Sequence, residues 1–148
     1  MEAHATDIIS TRLVDASPEQ VFDAFADPGT LAKWWGPQGF TNTIAEFDFQ
    51  PGGMWRFTMH APDGSDYPNE SEFVEITKPE KIVFIHHQPV HVFRMTMIFT
   101  EEEGKTRIVW QMRFETPADA EKFRKFIETA NQQNFDRLEA VLQQPTLP

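Results

Sequence analysis

Residues 116–142, near the C-terminus, have the pattern of a single long amphipathic helix. Thr116 provides a hydroxyl for the N-cap, Pro117 suits the first helical position, and Asp119 places a carboxylate near the positive end of the helix dipole. A helix of this length extends about 39 Å, which is enough to cross a small domain. Because the preceding chain is rich in strand patterns, this helix has to lie across a sheet.

The apolar residues of this helix share one stripe, and one polar residue interrupts it. At about 100° per residue, the stripe contains Phe123, Phe126, Ile127, Ala130, Leu138, Val141 and Leu142. Asn134 lies in its middle, and a buried amide has to be hydrogen-bonded. Two interpretations stay open for Asn134. Its amide either faces a cavity and orients the polar end of a ligand, or bonds to a loop, a strand carbonyl or trapped water.

The N-terminal part predicts one strand and two short helices. Residues 8–15 alternate loosely between apolar and polar, as strands do. Residues 17–20, Ser-Pro-Glu-Gln, form a capping box that begins the first helix. An Asp-Pro-Gly sequence at 27–29 ends it, and a second short helix carries Leu31, Trp34 and Trp35.

The stretch from residue 40 to residue 114 has the period of two that is typical of strands. The strand candidates are 42–49, 54–60, 70–77, 81–87, 92–100 and 106–115. The turns between them are short, so successive strands should pair antiparallel. The sequence therefore predicts one α+β domain over residues 1–148, with a curved seven-stranded antiparallel sheet wrapped around the long helix and a frayed tail at 143–148. A straight helix cannot follow a curved sheet along its whole length. The gap is either filled by large side chains or left as a pocket.

Strand 42–49 leaves its orientation open. Glu46 and Asp48 alternate with Phe47 and Phe49, so either pair can face the interior. Burial of the phenylalanines is the favoured arrangement. In the inverted arrangement, Asp48 and Arg56 form an ion pair in the cavity.

Charge and cysteine content restrict the partners. The chain has 13 basic and 23 acidic residues, giving a net charge of -10, which argues against nucleic acid or an anionic membrane as partner. There is no cysteine, which excludes disulfides and thiolate chemistry. Residues 1–10 lack an apolar core, and no apolar run approaches the roughly 18 residues of a membrane span. We therefore expect no membrane insertion and a cytoplasmic location.

The polar residues indicate no established catalytic motif. His86 and His87 adjoin at a strand end, so only one of them can face inward, and His87 can approach His91 across a proline turn. No His-x-x-x-His motif or acidic cluster accompanies them, so no metal site is predicted. No nucleophile elbow, Walker loop or dinucleotide glycine motif occurs, and no cofactor is predicted. A histidine at a cavity mouth could still act as a general base.

Several motifs resemble one protein family. They are Ala-Ser-Pro-Glu-Gln-Val-Phe at 16–22, Leu-Ala-Lys-Trp-Trp-Gly-Pro at 31–37 and Phe-Gln-Pro-Gly-Gly-Met-Trp-Arg-Phe at 49–57. With the order of elements, they resemble the bacterial homologues of the activator of the ninety-kilodalton heat-shock protein ATPase, in the START-like (SRPBCC) superfamily of helix-grip folds. Members often carry glycine where this chain has Ser71, which alters one rim of the pocket. The co-chaperone that names the family resembles this chain only in its C-terminal domain, which argues against chaperone activation.

The resemblance implies a cavity between the long helix and the sheet, which relatives use for apolar ligands, lipids, hormones or polyketide chemistry, and it implies no shared catalytic residue set. The candidate cavity residues are Asn134, Trp34, Trp35, Trp55, Phe57, Met59, Phe93, Met95, Met97, Trp110, Met112, Phe123 and Ile127. Binding of a small, largely apolar ligand is the leading interpretation. The first alternative is an enzyme of the polyketide-cyclase or hydrolase type that uses a histidine or carboxylate at the cavity mouth. The second is a stress-response partner of a heat-shock chaperone. Dimerisation is common for domains of this size, but the sequence specifies no interface.

Overall fold

The computed structural model describes residues 5–88 and 92–143. The chain order of elements is β1 (Asp7–Val14), α1 (Pro18–Ala26), α2 (Pro28–Trp34), β2 (Thr41–Phe47), β3 (Met54–His60), β4 (Asp66–Thr77), β5 (Lys81–Gln88), β6 (Phe93–Glu102), β7 (Lys105–Phe114) and α3 (Pro117–Leu142). The strands form one antiparallel sheet in the order β1-β7-β6-β5-β4-β3-β2. The predicted helix-grip fold, with its seven strands, two short helices and long C-terminal helix, is confirmed.

Each helix begins after a residue whose side chain accepts a hydrogen bond from a backbone N–H of the first turn. Ser17 and Gln20 form the predicted capping box, with Ser17 Oγ accepting from Gln20 N at 3.2 Å. Asp27 caps α2 by accepting from Thr30 N at 3.0 Å. Thr116 caps α3 by accepting from Asp119 N at 3.1 Å. Each cap satisfies a backbone N–H that has no partner within its own helix.

Strand β4 begins at Asp66, four residues before the predicted start at residue 70. Residues 66–69 pair with β3, and the pairing with β5 begins only at Glu70. Pro68 therefore has a neighbouring strand on one side only, where its missing N–H is tolerated.

The interior side of β2 is now defined. Phe47 and Phe49 face the core and contact the Phe73 ring, with centroids at 5.6 and 5.1 Å. Glu46 lies on the outer side and pairs with Arg56, which also binds Glu70 at 3.2 Å. The favoured arrangement is confirmed, and the ion pair between Asp48 and Arg56 in the cavity does not form.

The buried face of α3 differs from the predicted stripe. Phe126 was placed on the covered face but is 70% exposed, whereas Asn131 and Phe135 are buried. Phe135 packs against Trp110 at a centroid distance of 4.6 Å, and Asn131 Nδ2 donates to Ser10 Oγ at 3.1 Å. The prediction placed the buried face of α3 by hydrophobicity alone. In the structure, contacts with β1 and β7 shift this face toward Phe135 and a second amide, Asn131.

Candidate ligand cavity

A cavity of about 540 Å³ lies between α3 and the inner face of the sheet. Nine predicted residues border it: Trp35, Trp55, Phe57, Met59, Phe93, Met112, Phe123, Ile127 and Asn134. The open alternative between a filled interior and a pocket is thus decided in favour of a pocket. Contact of these residues with a ligand stays a prediction.

The other four predicted cavity residues, Trp34, Met95, Met97 and Trp110, do not border the cavity. All four are at most 2% exposed. Met97 pairs with Trp110 across β6 and β7, and the Trp34 indole lies 6.4 Å from that of Trp110. They belong to the packed core, which corrects their assignment to the cavity. Strand alternation shows which face a side chain takes, but not how far along that face the open space extends.

The Trp-Trp-Gly-Pro motif at 34–37 forms one wall of the cavity through its later residues. Trp34 turns into the core, where its Nε1 donates to Ala24 O at 2.9 Å. Trp35, Gly36 and Pro37 border the cavity. The Trp35 ring lies 5.2 Å from that of Trp55, so the two indoles form a continuous aromatic surface.

Asn134 holds this wall in place. The residue is 5% exposed. Its Nδ2 donates to Trp34 O at 2.7 Å, and its Oδ1 accepts from Gly36 N at 3.2 Å. Of the two interpretations left open by the sequence, the structure shows the bond to a loop. Asn134 borders the cavity, but its amide is committed to the backbone.

Arg137, one turn further along α3, binds the same wall and was not identified from the sequence. Its Nη1 donates to Trp35 O, Gly36 O and Pro37 O at 2.9–3.1 Å, and its Nη2 donates to Lys33 O at 2.9 Å. Lys33 lies in the last turn of α2 and the other three residues follow its end, where helix carbonyls lose their intrahelical partners. Burial lowers the pKa of the Arg137 guanidinium.

Two polar side chains lie together on the sheet side of the cavity. His86 is 8% exposed and borders the cavity, whereas His87 points outward toward Glu72 at 3.5 Å, so the prediction that only one of the pair faces inward is confirmed. Ser71 is 1% exposed, and its Oγ lies 3.5 Å from His86 Nδ1. Ser71 is therefore part of the cavity wall. The predicted approach of His87 to His91 falls outside the described residues.

Aspartate, glutamate, lysine and arginine side chains are absent from the cavity wall within residues 5–88 and 92–143. Among the described residues, no carboxylate borders the cavity as the hydrolase alternative would require, and His86 is the histidine that does. Across the same described part of the chain, no group of three or more histidine, cysteine, aspartate or glutamate side chains is arranged to hold a metal ion.

A separate chain of hydrogen bonds lies on the outer face of the sheet. His60 Nε2 is 2.7 Å from Thr43 Oγ1, and His60 Nδ1 is 2.7 Å from Asp66 Oδ1. The order of groups is that of a hydrolase triad, but these side chains do not border the cavity. A second surface groove, of about 690 Å³, is bordered by Glu19, Glu80 and Glu101, so its wall is acidic, unlike that of the apolar cavity.

Comparison with solved structures supports the fold. A protein from Arthrobacter aurescens is 24% identical, with a TM-score of 0.88 over 98% of this chain and 91% of that one. A protein from Nitrosomonas europaea is 19% identical, with a TM-score of 0.86 over 97% and 98%. The AHSA1 protein from Silicibacter pomeroyi is 21% identical, with a TM-score of 0.76 over 92% and 96%. No curated protein sequence matches the chain.

Within the described residues, every helix is too short or too polar to cross a membrane. The family model for Activator of Hsp90 ATPase homolog 1-like protein matches residues 15–143, which include the two short helices, six of the strands and the cavity. The match extends over most of the sequence and agrees with the observed fold. The chain belongs to the Activator of Hsp90 ATPase homolog 1-like family.

Proposed function

We propose that this protein binds a small, largely apolar molecule in the cavity between α3 and the sheet. The observation that carries the proposal is a space of about 540 Å³ whose wall is mostly aromatic and aliphatic and, among the described residues, holds no aspartate, glutamate, lysine or arginine side chain. Removing apolar surface from water contributes roughly 25 cal/mol per Å², so an apolar ligand of matching size would gain several kcal/mol. Family membership supports the proposal, because members typically bind hydrophobic ligands.

The wall side chains support one another rather than filling the space. Trp55 stacks on Phe57 at a centroid distance of 4.3 Å, and both rings border the cavity. The Trp35 ring, which follows α2, packs against the Trp55 ring of β3. The rings are thus held by neighbours without a ligand, which lowers the ordering cost of binding.

Filling the cavity provides the most direct test. Ala130 borders the cavity from α3, so Ala130→Phe should occupy part of the space without breaking a side-chain hydrogen bond. We expect this variant to weaken binding of the neutral fluorescent probe N-phenyl-1-naphthylamine by at least about tenfold, since the ring competes for the same apolar surface. The measurement is a fluorescence titration.

Ala140→Phe is the matched control, because Ala140 lies on the exposed side of the same helix. This variant should bind the probe with the same affinity as the wild type. Equal affinities for the wild type and both variants, or no binding to the wild type, would contradict the proposal.

Phe126 provides a second test, at the cavity rim. Its ring is 70% exposed yet borders the cavity, so it can cover a bound ligand without supporting the core. We expect Phe126→Ser to change the free energy of unfolding by less than about 0.5 kcal/mol and to increase the dissociation rate of the probe several-fold. Stopped-flow displacement measures that rate. Leu13→Ser, at an exposed apolar position away from the cavity, should leave it unchanged.

One observation favours the hydrolase alternative, namely Ser71 beside His86 inside the cavity. The separation of 3.5 Å between Ser71 Oγ and His86 Nδ1 is long for a hydrogen bond, so the serine is not activated in this arrangement. Hydrolysis of 4-nitrophenyl butyrate, compared between the wild type and Ser71→Ala, tests this alternative. Equal rates would leave binding as the function. The chaperone partnership and the dimer stay predictions.

A further inference from the structure

Three side chains on the outer face of the sheet come from three neighbouring strands. Thr43 lies on β2, His60 is the last residue of β3, and Asp66 is the first residue of β4. His60 is directly opposite Asp66 in the register of β3 and β4, and directly opposite Thr41 in the register of β2 and β3. Thr43, two residues from Thr41, is therefore its diagonal neighbour on the same face, within reach of a long side chain.

The three side chains form a continuous chain of hydrogen bonds. His60 Nδ1 lies 2.7 Å from Asp66 Oδ1, and His60 Nε2 lies 2.7 Å from Thr43 Oγ1. An ionised carboxylate can only accept, so Nδ1 of the neutral imidazole carries the proton and Nε2 accepts from the threonine hydroxyl. A hydroxyl bonded to a base that a carboxylate orients is the arrangement of an activated nucleophile. By contrast, Ser71 Oγ and His86 Nδ1 are 3.5 Å apart.

This chain of hydrogen bonds is accessible from solvent. Thr43 is exposed, and the side chains of His60 and Asp66 are 35% and 61% exposed. The three residues do not border the apolar cavity. The carbonyl carbon of a small molecule can therefore approach the Thr43 hydroxyl while the core stays packed. An apolar substrate would gain little from burial here, so the arrangement suits a small ester with a leaving group that departs readily.

We propose that Thr43, His60 and Asp66 form an acyl-transfer site that hydrolyses small activated esters. Thr43 Oγ1 attacks the carbonyl carbon while His60 Nε2 takes the hydroxyl proton. The bond to the leaving group breaks, and that group departs with the bonding electron pair and the proton from His60. The acyl group is then an ester of Thr43. Water attacks this ester, His60 takes a proton from the water and returns it to the threonine oxygen, and the free acid leaves.

The experiment follows hydrolysis of 4-nitrophenyl acetate by the absorbance of the released 4-nitrophenolate. We expect Thr43→Val to lower the protein-dependent rate constant by at least about tenfold, because valine keeps the shape of threonine but has no hydroxyl. Thr43→Ser keeps the hydroxyl and should keep most of the rate. Mass spectrometry of wild-type protein quenched in acid during turnover should locate an acetyl group on Thr43.

The roles of the base and the carboxylate are tested separately. His60→Gln should lower the rate constant as much as Thr43→Val does. Asp66 acts through His60 and is a positioning residue. Asp66→Asn should lower the rate constant several-fold, because an amide N–H donating to Nδ1 leaves the ring proton on Nε2, where the hydroxyl needs an acceptor. Asp66→Glu keeps a carboxylate and should recover part of this loss.

The matched controls carry the same chemical changes elsewhere on the surface. Thr41→Val removes an exposed hydroxyl two residues from the one bonded to His60. His87→Gln removes a histidine that lies 3.5 Å from the Glu72 carboxylate. Neither should change the rate constant. Urea denaturation should give every variant the midpoint of the wild type, since the substituted side chains lie at the surface.

Each contrary result has a distinct meaning. Loss of the rate in His60→Gln but not in Thr43→Val would show that the imidazole reacts alone, and it would overturn the site. Equal rates in the wild type, Thr43→Val and His60→Gln, or no rate above that of buffer, would also overturn it. Binding of the fluorescent probe in the cavity should be the same in Thr43→Val and the wild type, so this inference and the proposed function fail independently.

Discussion

Replacing Asn134 with leucine is expected to destabilise the fold by about 2–5 kcal/mol and to abolish binding of the fluorescent probe, because two buried backbone groups lose their partners. Those groups are Trp34 O and Gly36 N, which bond the two ends of the Asn134 amide at 2.7 and 3.2 Å. Leucine is similar in size, so the change removes hydrogen bonds rather than volume. Urea denaturation measures the loss, and the probe titration shows whether the 34–37 wall still forms.

Asn131→Leu is the matched control, since Asn131 is a second buried amide on the same helix. Its Nδ2 contacts the Ser10 hydroxyl and the Met112 sulfur rather than the backbone of the wall. We expect a loss of about 1 kcal/mol, because the Ser10 hydroxyl can rotate toward another partner. If Asn134→Leu folded as stably as the wild type and altered only ligand retention, the amide would serve the ligand and the loop interpretation would be wrong.

Arg137→Met is expected to cost about 2–3 kcal/mol and to weaken probe binding several-fold, because four carbonyl groups lose a charged donor. Those carbonyls belong to Lys33 and to the 35–37 part of the cavity wall. Methionine keeps much of the side-chain length, so the effect reports on the guanidinium. The free energy of unfolding and the probe affinity are measured on the same samples.

Arg137→Lys separates charge from geometry. Lysine keeps the charge but cannot span four carbonyls with one planar group, so it should recover less than half of the lost stability. Arg107→Met is the control, because Arg107 pairs with Glu102 on an exposed hairpin. That pair should contribute less than about 1 kcal/mol. Full recovery by lysine would show that charge alone is sufficient.

The contribution of Arg137 to the free energy of unfolding should not depend on pH near neutrality. Burial lowers the pKa of its guanidinium, so the folded state binds this proton less tightly than the unfolded state does. Stability from this group would therefore rise with pH, but only near or above about pH 12, where arginine begins to deprotonate. The difference between wild type and Arg137→Met is expected to be constant from roughly pH 6 to pH 9.

Asn134 and Arg137 bond the same five-residue segment, so their effects should not add. Once one of the two is removed, the segment is freer to move, and removal of the other costs less. A double variant measured by urea denaturation should lose less stability than the sum of the single variants. Simple additivity would mean that the two side chains hold the wall independently.

The sequence identified individual residues of the site, but not which of them lie next to one another. The polar interruption at Asn134 was visible in the helix pattern, but its partners lie about a hundred residues earlier in the chain. The place of Ser71 beside His86 was not visible, because it depends on the pairing of β4 with β5, which shifts register between Glu70 and Ser71. Alternation within one strand carries no information about such a shift.

Local physics explains what the sequence determined by itself. Helix starts, the order of strands and turns, and the inward position of only one of His86 and His87 follow from interactions between residues that are close in the chain. Only the tertiary structure decided that Trp110 and Met97 fill the core while Trp55 and Phe57 border a cavity, and that Phe126 lies at its rim. These outcomes depend on how a straight helix meets a curved sheet, and hence on contacts between side chains far apart in sequence.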